Sequence, residues 1–182
     1  MNKIIAVILL VLISPFLILI LIITAIDLKC NPIFKQKRTV NGEKVFVFFK
    51  IRTMRKQAPN LATKNFENPN QFITSWGSFL RRNSIDEILN LLCIINNDMN
   101  FIGPRPIIVI EEELILLRKK HGIVSKPGIT GFAQINGRDS LSLEDKIIYE
   151  KYYEIQKHNK FLKLYIIYKT IIIVVKKIGI KH

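Results

Sequence analysis

The chain has 182 residues, with 28 lysines and arginines against 14 acidic residues, for a formal net charge of +14. This length predicts one domain, and the charge favours polyanionic partners such as anionic lipids or phosphorylated substrates. No helix-turn-helix, zinc-finger or aromatic RNA-binding pattern accompanies the charge, so nucleic acid is not expected as a partner, and two distant cysteines imply neither a disulfide framework nor a metal knuckle.

The first predicted element is an apolar helix from Ile4 to Ile26, long enough to span a bilayer. Its length, and the lack of a small-x-small cleavage site after it, argue against a cleaved signal peptide. Ser14-Pro15 lies at its middle, where proline removes a helical hydrogen bond and predicts a kink. Positive residues flank both ends, which favours a re-entrant hairpin with both ends in the cytoplasm. A kinked spanning helix is the alternative.

A β-hairpin is predicted next. Phe34–Val40 and Lys44–Ile51 read as short strands, and Asn41-Gly42 between them is typical of a tight hairpin turn. Lys50 and Arg52 lie at the end of the second strand.

An acidic pair, Asp86 and Glu87, opens the following apolar-periodic helix, directly after Arg81 and Arg82. Ser84 would be the N-cap of a capping box with Glu87, which is a purely structural role. The same groups also suit phosphoryl transfer, because cations hold phosphate while a carboxylate can bind metal or attack phosphorus. The two interpretations are compatible, and both stay open at this point.

The remaining segments predict three helices and one loop. A helix is expected from Pro106 to about Lys120, and another after Ser142. The glycine-punctuated stretch 126–138 either brings backbone amides to a phosphate or nucleotide, or is an ordinary connection. Phe161–Val175 is apolar but contains lysines, so it is either a helix in the membrane interface or a buried core helix.

Taken together, these segments resemble the bacterial sugar transferase family, the small monotopic phosphoglycosyl transferases. The likeness covers nearly the whole chain in order. The motifs that carry it are Ser14-Pro15, Phe34-Lys35-Gln36, Lys50 to Met54, Asp86-Glu87, Asp98-Met99, Gly103-Pro104-Arg105-Pro106, Lys126 to Gly131, and Asn136-Gly137-Arg138. Two positions depart from the family pattern: Ile88-Leu89 replaces the usual Leu-Pro, and Phe132 replaces the usual tryptophan.

The resemblance implies an α+β, mainly helical fold. Residues 1–28 would form a re-entrant membrane helix hairpin, broken at Ser14 and Pro15. Residues 29–182 would form a compact cytoplasmic catalytic domain with a small β-hairpin and amphipathic interfacial helices. The protein would be monotopic, on the cytoplasmic face of the bacterial inner membrane, in contact with membrane lipids.

The resemblance also implies an activity: transfer of a sugar 1-phosphate from a UDP-sugar to polyprenyl (undecaprenyl) phosphate, with release of UMP. This would initiate glycan assembly ahead of downstream glycosyltransferases. Asp86 would be the nucleophile, forming an aspartyl-phosphosugar intermediate, and would bind Mg²⁺, while Glu87 would assist. The residues expected to bind phosphate or substrate are Lys50, Arg52, Arg81, Arg82, Arg105, Lys126, Gly128, Thr130 and Arg138. A non-catalytic membrane-anchored scaffold is the alternative.

Overall fold

The computed structural model describes residues 2–58, 71–137 and 140–176. The elements in chain order are α1 (Asn2–Leu28), β1 (Ile33–Thr39), β2 (Val45–Ile51), α2 (Ser75–Arg82), a 3₁₀ helix (Ile85–Asn90), α3 (Leu91–Ile95), β3 (Asn100–Ile102), β4 (Ile107–Ile108), α4 (Glu112–Lys120), β5 (Gly128–Thr130), α5 (Phe132–Ile135), α6 (Leu143–Gln156) and α7 (Lys160–Lys176). The predicted α+β, mainly helical class is confirmed.

The chain divides into two compact units. The first comprises the chain up to Gln36 together with Phe48–Asn96, and the second comprises Lys37–Val47 together with the chain from Asn97 onward. The division into a membrane segment at 1–28 and a catalytic domain at 29–182 stays a prediction.

In the first unit, α1 is a continuous helix of 27 residues that contains Pro15. Proline has no N–H to donate to the carbonyl of Val11, and the Ser14 hydroxyl donates to that carbonyl instead, at 2.8 Å. By length and composition alone, α1 is able to cross a membrane. The re-entrant hairpin stays a prediction.

One stripe of α1 packs on the rest of the first unit. Leu17 joins a buried cluster with Ile51, Leu80 and Leu89. Each fully buried leucine contributes about 1.5–3 kcal/mol. The other faces of α1 are largely exposed, and only 11% of its most apolar 18-residue stretch is buried. The helix therefore belongs to the unit through one narrow stripe and leaves a large apolar surface uncovered.

Two hydrogen bonds join the end of α1 to the beginning of α2. The indole Nε1 of Trp76 donates to the Thr24 hydroxyl at 2.9 Å, and the Thr74 hydroxyl donates to the Asp27 carboxylate at 2.6 Å. Thr74 is also the N-cap of α2. The first turn of α2 is thus attached to the last turns of α1.

In the second unit, two short strand pairs organise the backbone. β1 and β4 are antiparallel, with Arg38 opposite Ile108. β3 and β5 are parallel, with Asn100 opposite Gly128. A Cβ on Gly128 would lie 2.1 Å from the nitrogen of Gly103. Glycine is required there because the two backbones touch.

The predicted hairpin of β1 and β2 is confirmed, but its tight two-residue turn is wrong. The connection runs over residues 40–44. A type I′ turn needs positive φ at both central residues, and only Gly42 has it, at 84°. The Thr39 hydroxyl organises the loop instead: it accepts from the Gly42 N–H at 2.8 Å and donates to the Lys44 carbonyl at 2.9 Å.

The helix predicted from Pro106 begins only at Glu112, so its predicted start is wrong. Ile107 and Ile108 form β4 and pair with β1. The side chain of Glu111 accepts from the backbone N–H of Ile108 at 3.1 Å. Pairing with a strand distant in sequence therefore overrides the local helix signal of proline.

The helix predicted after Ser142 is confirmed as α6, with the Ser142 hydroxyl accepting from the Asp145 N–H at 3.0 Å. Phe132, at the position that departs from the family pattern, stacks on Tyr152 at 5.0 Å between ring centroids and meets Tyr149 edge-on. The aromatic at this position thus packs against α6.

The helix α7 buries Ile166 completely, yet Phe161 at its start is 83% exposed. Other exposed apolar residues of α7 are Leu164, Tyr165, Ile167, Tyr168, Ile171 and Val175. This pattern does not fit a buried core helix. Its placement in a membrane interface stays a prediction.

The carboxylate of Glu154, on α6, makes stability depend on pH. Burial by itself would raise its pKa, but hydrogen bonds from Lys157 at 2.7 Å and the Ser125 N–H at 2.9 Å outweigh burial, so the pKa lies below its usual value. Glu154 therefore stabilises the fold above its unfolded pKa, and this contribution is lost as the pH falls through the lower folded pKa.

We expect Glu154→Gln to lower the thermal midpoint by a few degrees at about pH 7, and the difference between the two proteins to shrink as the pH falls through the lowered folded pKa of Glu154. Circular dichroism melts of the two proteins over this pH range measure this. An equal loss at every pH would contradict the assignment.

Candidate active site

The acidic pair lies on the 3₁₀ helix Ile85–Asn90, and the predicted capping box is wrong. Only two residues separate α2 from this helix, and Ser84 makes the reversal with a left-handed φ of 55°. An N-cap needs extended backbone, so the Ser84 side chain makes no capping bond. The capping role predicted for Ser84 is therefore not formed in the structure.

The 3₁₀ geometry decides which way Asp86 faces. Residues three apart lie on the same side of such a helix, and Asp86 and Leu89 are the matching buried pair. Leu89 belongs to the apolar cluster of the first unit. Asp86 is consequently only 6% exposed.

Asn90 ties the 3₁₀ helix to strand β2. Its side-chain oxygen accepts from the backbone N–H of Phe49 at 3.3 Å, and the thiol of buried Cys93 lies 3.7 Å from the same oxygen. Lys50 follows Phe49 on the strand, so this bond fixes the distance between Lys50 and the acidic pair.

The ammonium of Lys50 contacts both carboxylates. It lies 2.8 Å from the Glu87 Oε1 and 3.5 Å from the Asp86 Oδ2. A buried carboxylate such as that of Asp86 needs a counter-charge nearby, because an unpaired charge is costly to remove from water. Lys50 was expected to bind phosphate, and in the structure its contact is with the acidic pair.

Arg81 is the second cation of this site, and α2 positions it. A Cβ on Gly77 would lie 2.2 Å from the Thr53 carbonyl oxygen, so only glycine lets α2 approach the segment after β2 this closely. One turn later, the Arg81 Nε donates to the Thr53 hydroxyl at 2.7 Å. Thr53 is a site residue that the sequence did not reveal.

The electrostatics of Arg81 reflect both its burial and its neighbours. Burial lowers the pKa of Arg81, while the charges of Asp86 and Glu87 act in the opposite direction. An arginine remains protonated at any physiological pH. Two cations, Lys50 and Arg81, and two carboxylates, Asp86 and Glu87, thus lie together at a partly buried site in the first unit.

This arrangement suits chemistry on phosphate. Cations hold the phosphate oxygens, and a carboxylate serves as nucleophile or metal ligand. Within the described ranges, no group of three or more His, Cys, Asp or Glu residues is placed to hold a metal ion. Any cation at this site would therefore depend on the two carboxylates and on ligands from a substrate.

Two other predicted residues of the first unit lie away from this group. The Nε of Arg52 donates to the Asn31 carbonyl at 2.8 Å, and its guanidinium lies over the Phe34 ring at 5.5 Å from the centroid. Arg82 is exposed at the end of α2. Their roles in substrate binding stay predictions.

Four predicted residues belong to the second unit. Arg105 is half-buried between two prolines. Lys126 donates to the side chain of Asn97 at 2.8 Å, and the Thr130 hydroxyl is hydrogen-bonded to that of Thr170 at 2.7 Å.

Gly128 provides the close backbone contact with Gly103. Arg138, the last predicted residue, lies outside the described residues.

Sequence reasoning missed a buried ion pair of the second unit, Arg118 with Glu150. The sequence carries only a weak sign of this pair, which is the position of each residue on an apolar helix face. Arg118 follows Leu114 at helical spacing, and Glu150 lies between Ile147 and Tyr153 on one face of α6, so each charge occupies an apolar-face position.

Similarity to known proteins extends over most of the chain. The sequence model described as bacterial sugar transferase matches residues 1–177. The exopolysaccharide production protein ExoY of Sinorhizobium fredii is 28% identical over 93% of this chain and 81% of its own length. The uncharacterized sugar transferase EpsL of Bacillus subtilis is 34% identical over 82% of this chain and 72% of its own length. The UDP-glucose:undecaprenyl-phosphate glucose-1-phosphate transferase of Xanthomonas campestris pv. campestris is 34% identical over 75% of this chain and 29% of its own length.

We expect Gly77→Ala to destabilise the protein by about 1–3 kcal/mol, because the added methyl must push α2 away from the Thr53 backbone. The displacement also draws Arg81 away from Thr53. Denaturant unfolding measures the loss, and Ser75→Ala at an exposed position of the same helix is the matched control. Equal stability of the two variants would contradict the close contact.

Proposed function

Because the chain belongs to the bacterial sugar transferase family, we propose that it transfers a sugar 1-phosphate from a UDP-sugar to polyprenyl phosphate and releases UMP. The name of the Xanthomonas campestris relative includes both substrate classes. Since the chain spans less than a third of that relative, the main support for the reaction is the site itself.

The observation that carries the proposal is the contact of one ammonium with two adjacent carboxylates at a buried position. Lys50 reaches Glu87 at 2.8 Å and Asp86 at 3.5 Å. A donor diphosphate and a phosphorylated acceptor are both anions, so their direct reaction must overcome charge repulsion. A covalent intermediate separates the two anions in time.

We assign the nucleophile to Asp86, the more buried of the two carboxylates. In the first step, an Asp86 oxygen forms a bond to the sugar-side phosphorus as the bond from that phosphorus to the oxygen of UMP breaks. In the second step, an oxygen of polyprenyl phosphate bonds to the same phosphorus, and the Asp86 carboxylate leaves. Glu87 keeps the Lys50 ammonium oriented through both steps, and Arg81 binds phosphate oxygens.

Magnesium is part of the proposal. In phosphate-transfer sites, Mg²⁺ binds one or two protein carboxylates and completes its coordination with substrate oxygens and water. The oxygens of Asp86 and Glu87 fit that pattern. When bound, the ion would supply charge neutralisation to the diphosphate.

Membrane association supports a lipid acceptor. α1 is long and apolar enough for a bilayer, and α7 exposes an apolar surface. We propose that α1 is a re-entrant hairpin bent at Ser14 and Pro15 and that α7 lies in the interface. The protein would then act on the cytoplasmic face of the inner membrane, where its product passes to downstream glycosyltransferases.

We expect Asp86→Asn to reduce UMP release from a UDP-sugar by about 10³-fold or more, because an amide cannot replace the carboxylate as nucleophile. The assay uses detergent-solubilised protein with Mg²⁺ and undecaprenyl phosphate. Wild-type protein incubated with labelled donor alone should also yield a covalent adduct on Asp86 by mass spectrometry. Undiminished turnover in the variant would remove Asp86 as the nucleophile.

Asp145→Asn, at an exposed position in the first turn of α6, is the matched control and should retain wild-type turnover. The assay also separates the enzyme from the alternative of a non-catalytic scaffold. A scaffold releases no UMP with any UDP-sugar.

The re-entrant hairpin predicts where the N-terminus lies. An epitope tag placed before Met1 should resist protease added to intact spheroplasts and should be cleaved after permeabilisation, like a tag placed after His182. Immunoblotting measures both. Cleavage of the N-terminal tag in intact spheroplasts would show that α1 spans the membrane.

A further inference from the structure

The second unit contains a fully buried pair of opposite charges that the proposed reaction does not use. Arg118 of α4 is 0% exposed, and Glu150 of α6 is 2% exposed. The Arg118 Nε donates to the Glu150 Oε2 at 2.7 Å, and the Nη2 donates to the Oε1. This bidentate contact fixes the plane of the guanidinium.

The other guanidinium hydrogens reach two backbone carbonyls. The Arg118 Nη1 donates to the Val40 oxygen at 3.0 Å, and the Nη2 donates to the Arg105 oxygen at 3.0 Å. A lysine could not make these contacts together, because its single ammonium lacks the planar fork of donors. The pair therefore attaches Arg105 to two helices.

The Arg105 segment has few donors with which to hold itself. Pro104 and Pro106 flank it, and proline has no backbone N–H. Their carbonyls accept from outside the turn: Pro104 from the Gly128 N–H at 3.0 Å, and Pro106 from the Arg38 Nη1 at 3.2 Å. Hydrogen bonds donated to its three successive carbonyls thus hold this turn, and Arg118 supplies the central one.

A second residue on the same face of α6 bonds the backbone just before Arg105. One turn after Glu150, the Tyr153 hydroxyl donates to the Ile102 carbonyl at 3.1 Å. A buried ion pair rarely adds net stability over an apolar pair of equal volume, because desolvation offsets the attraction. Arg118 bonds the Arg105 carbonyl and Tyr153 bonds the Ile102 carbonyl, so α4 and α6 together contact the backbone at both ends of the stretch 102–105.

We propose that Arg118, oriented by Glu150, is a positioning residue that fixes the backbone of Arg105 and thereby the direction of the Arg105 side chain, a predicted phosphate ligand. This inference rests on the proposed function, together with the prediction from the family resemblance that Arg105 binds phosphate. Arg118 itself touches no substrate.

The test replaces the ion pair by an apolar pair of similar volume, Arg118→Met with Glu150→Leu. This double variant preserves packing but leaves the Arg105 carbonyl without its donor. Ile147→Ala is the matched control, since Ile147 is buried on the same helix in an apolar cluster that includes Ile107 but not Arg105, so its truncation weakens the unit without removing a bond to the Arg105 carbonyl. If the double variant does not fold, Arg118→Lys takes its place, because it keeps a charge for Glu150 and loses the fork.

Amide hydrogen exchange decides the positioning itself, independently of any activity. We expect the peptide covering residues 100–105, which excludes Ile107, to exchange at least about 10-fold faster in the double variant, and to remain near wild type in Ile147→Ala under conditions where both are folded. Unchanged exchange in that peptide, or equal acceleration by the control, would overturn the inference even if the protein proved inactive.

Kinetics decide the consequence for catalysis. We expect the double variant to lose on the order of 10- to 100-fold in kcat/KM for the UDP-sugar. It should lose no further activity when Arg105 is already alanine, because both changes impair the same phosphate contact of the Arg105 side chain. Ile147→Ala should combine additively with Arg105→Ala. Additive losses for the double variant would overturn the positioning role, whereas absence of UMP release by the wild type would refute the proposed function alone.

Discussion

The charge balance between Lys50 and the carboxylates of Asp86 and Glu87 is the constraint on which the first unit depends. Asp86 lies at a position that an apolar residue would normally occupy, and the nearby Lys50 ammonium helps to compensate its charge there. The Asn90 side chain brings strand β2 to the right place. The same contacts that satisfy a buried charge therefore assemble the groups that the proposed reaction needs.

The second unit follows a different rule, because its critical segments are held through their backbones. Gly103 and Gly128 allow strands to touch without side chains, while Arg118 and Tyr153 reach in to bond carbonyls. A loop rich in proline and glycine has little stabilising power of its own. Helices packed beside it supply what the loop lacks.

Local sequence patterns predicted the elements with long, regular signals and failed where distant partners decide. The apolar run of α1, the two strand segments of the hairpin and the helix start after Ser142 were readable because each is a property of adjacent residues. Ser84 instead adopts a left-handed backbone conformation, and Ile107 pairs with a strand far away in sequence. The acidic pair was found by its composition and its family likeness, whereas the contacts from Lys50, 37 residues from Glu87, required the structure.

The attachment of α2 to α1 limits how this protein could be rebuilt. The first turn of α2 bonds to Thr24 and Asp27 of α1, and its last turn carries Arg81, so one helix of eight residues connects α1 to the acidic pair. The helix α1 is therefore not an interchangeable module. A chimera that grafted a foreign hydrophobic segment in its place, without equivalents of those two polar groups, would release one end of α2 and misalign the arginine at the other.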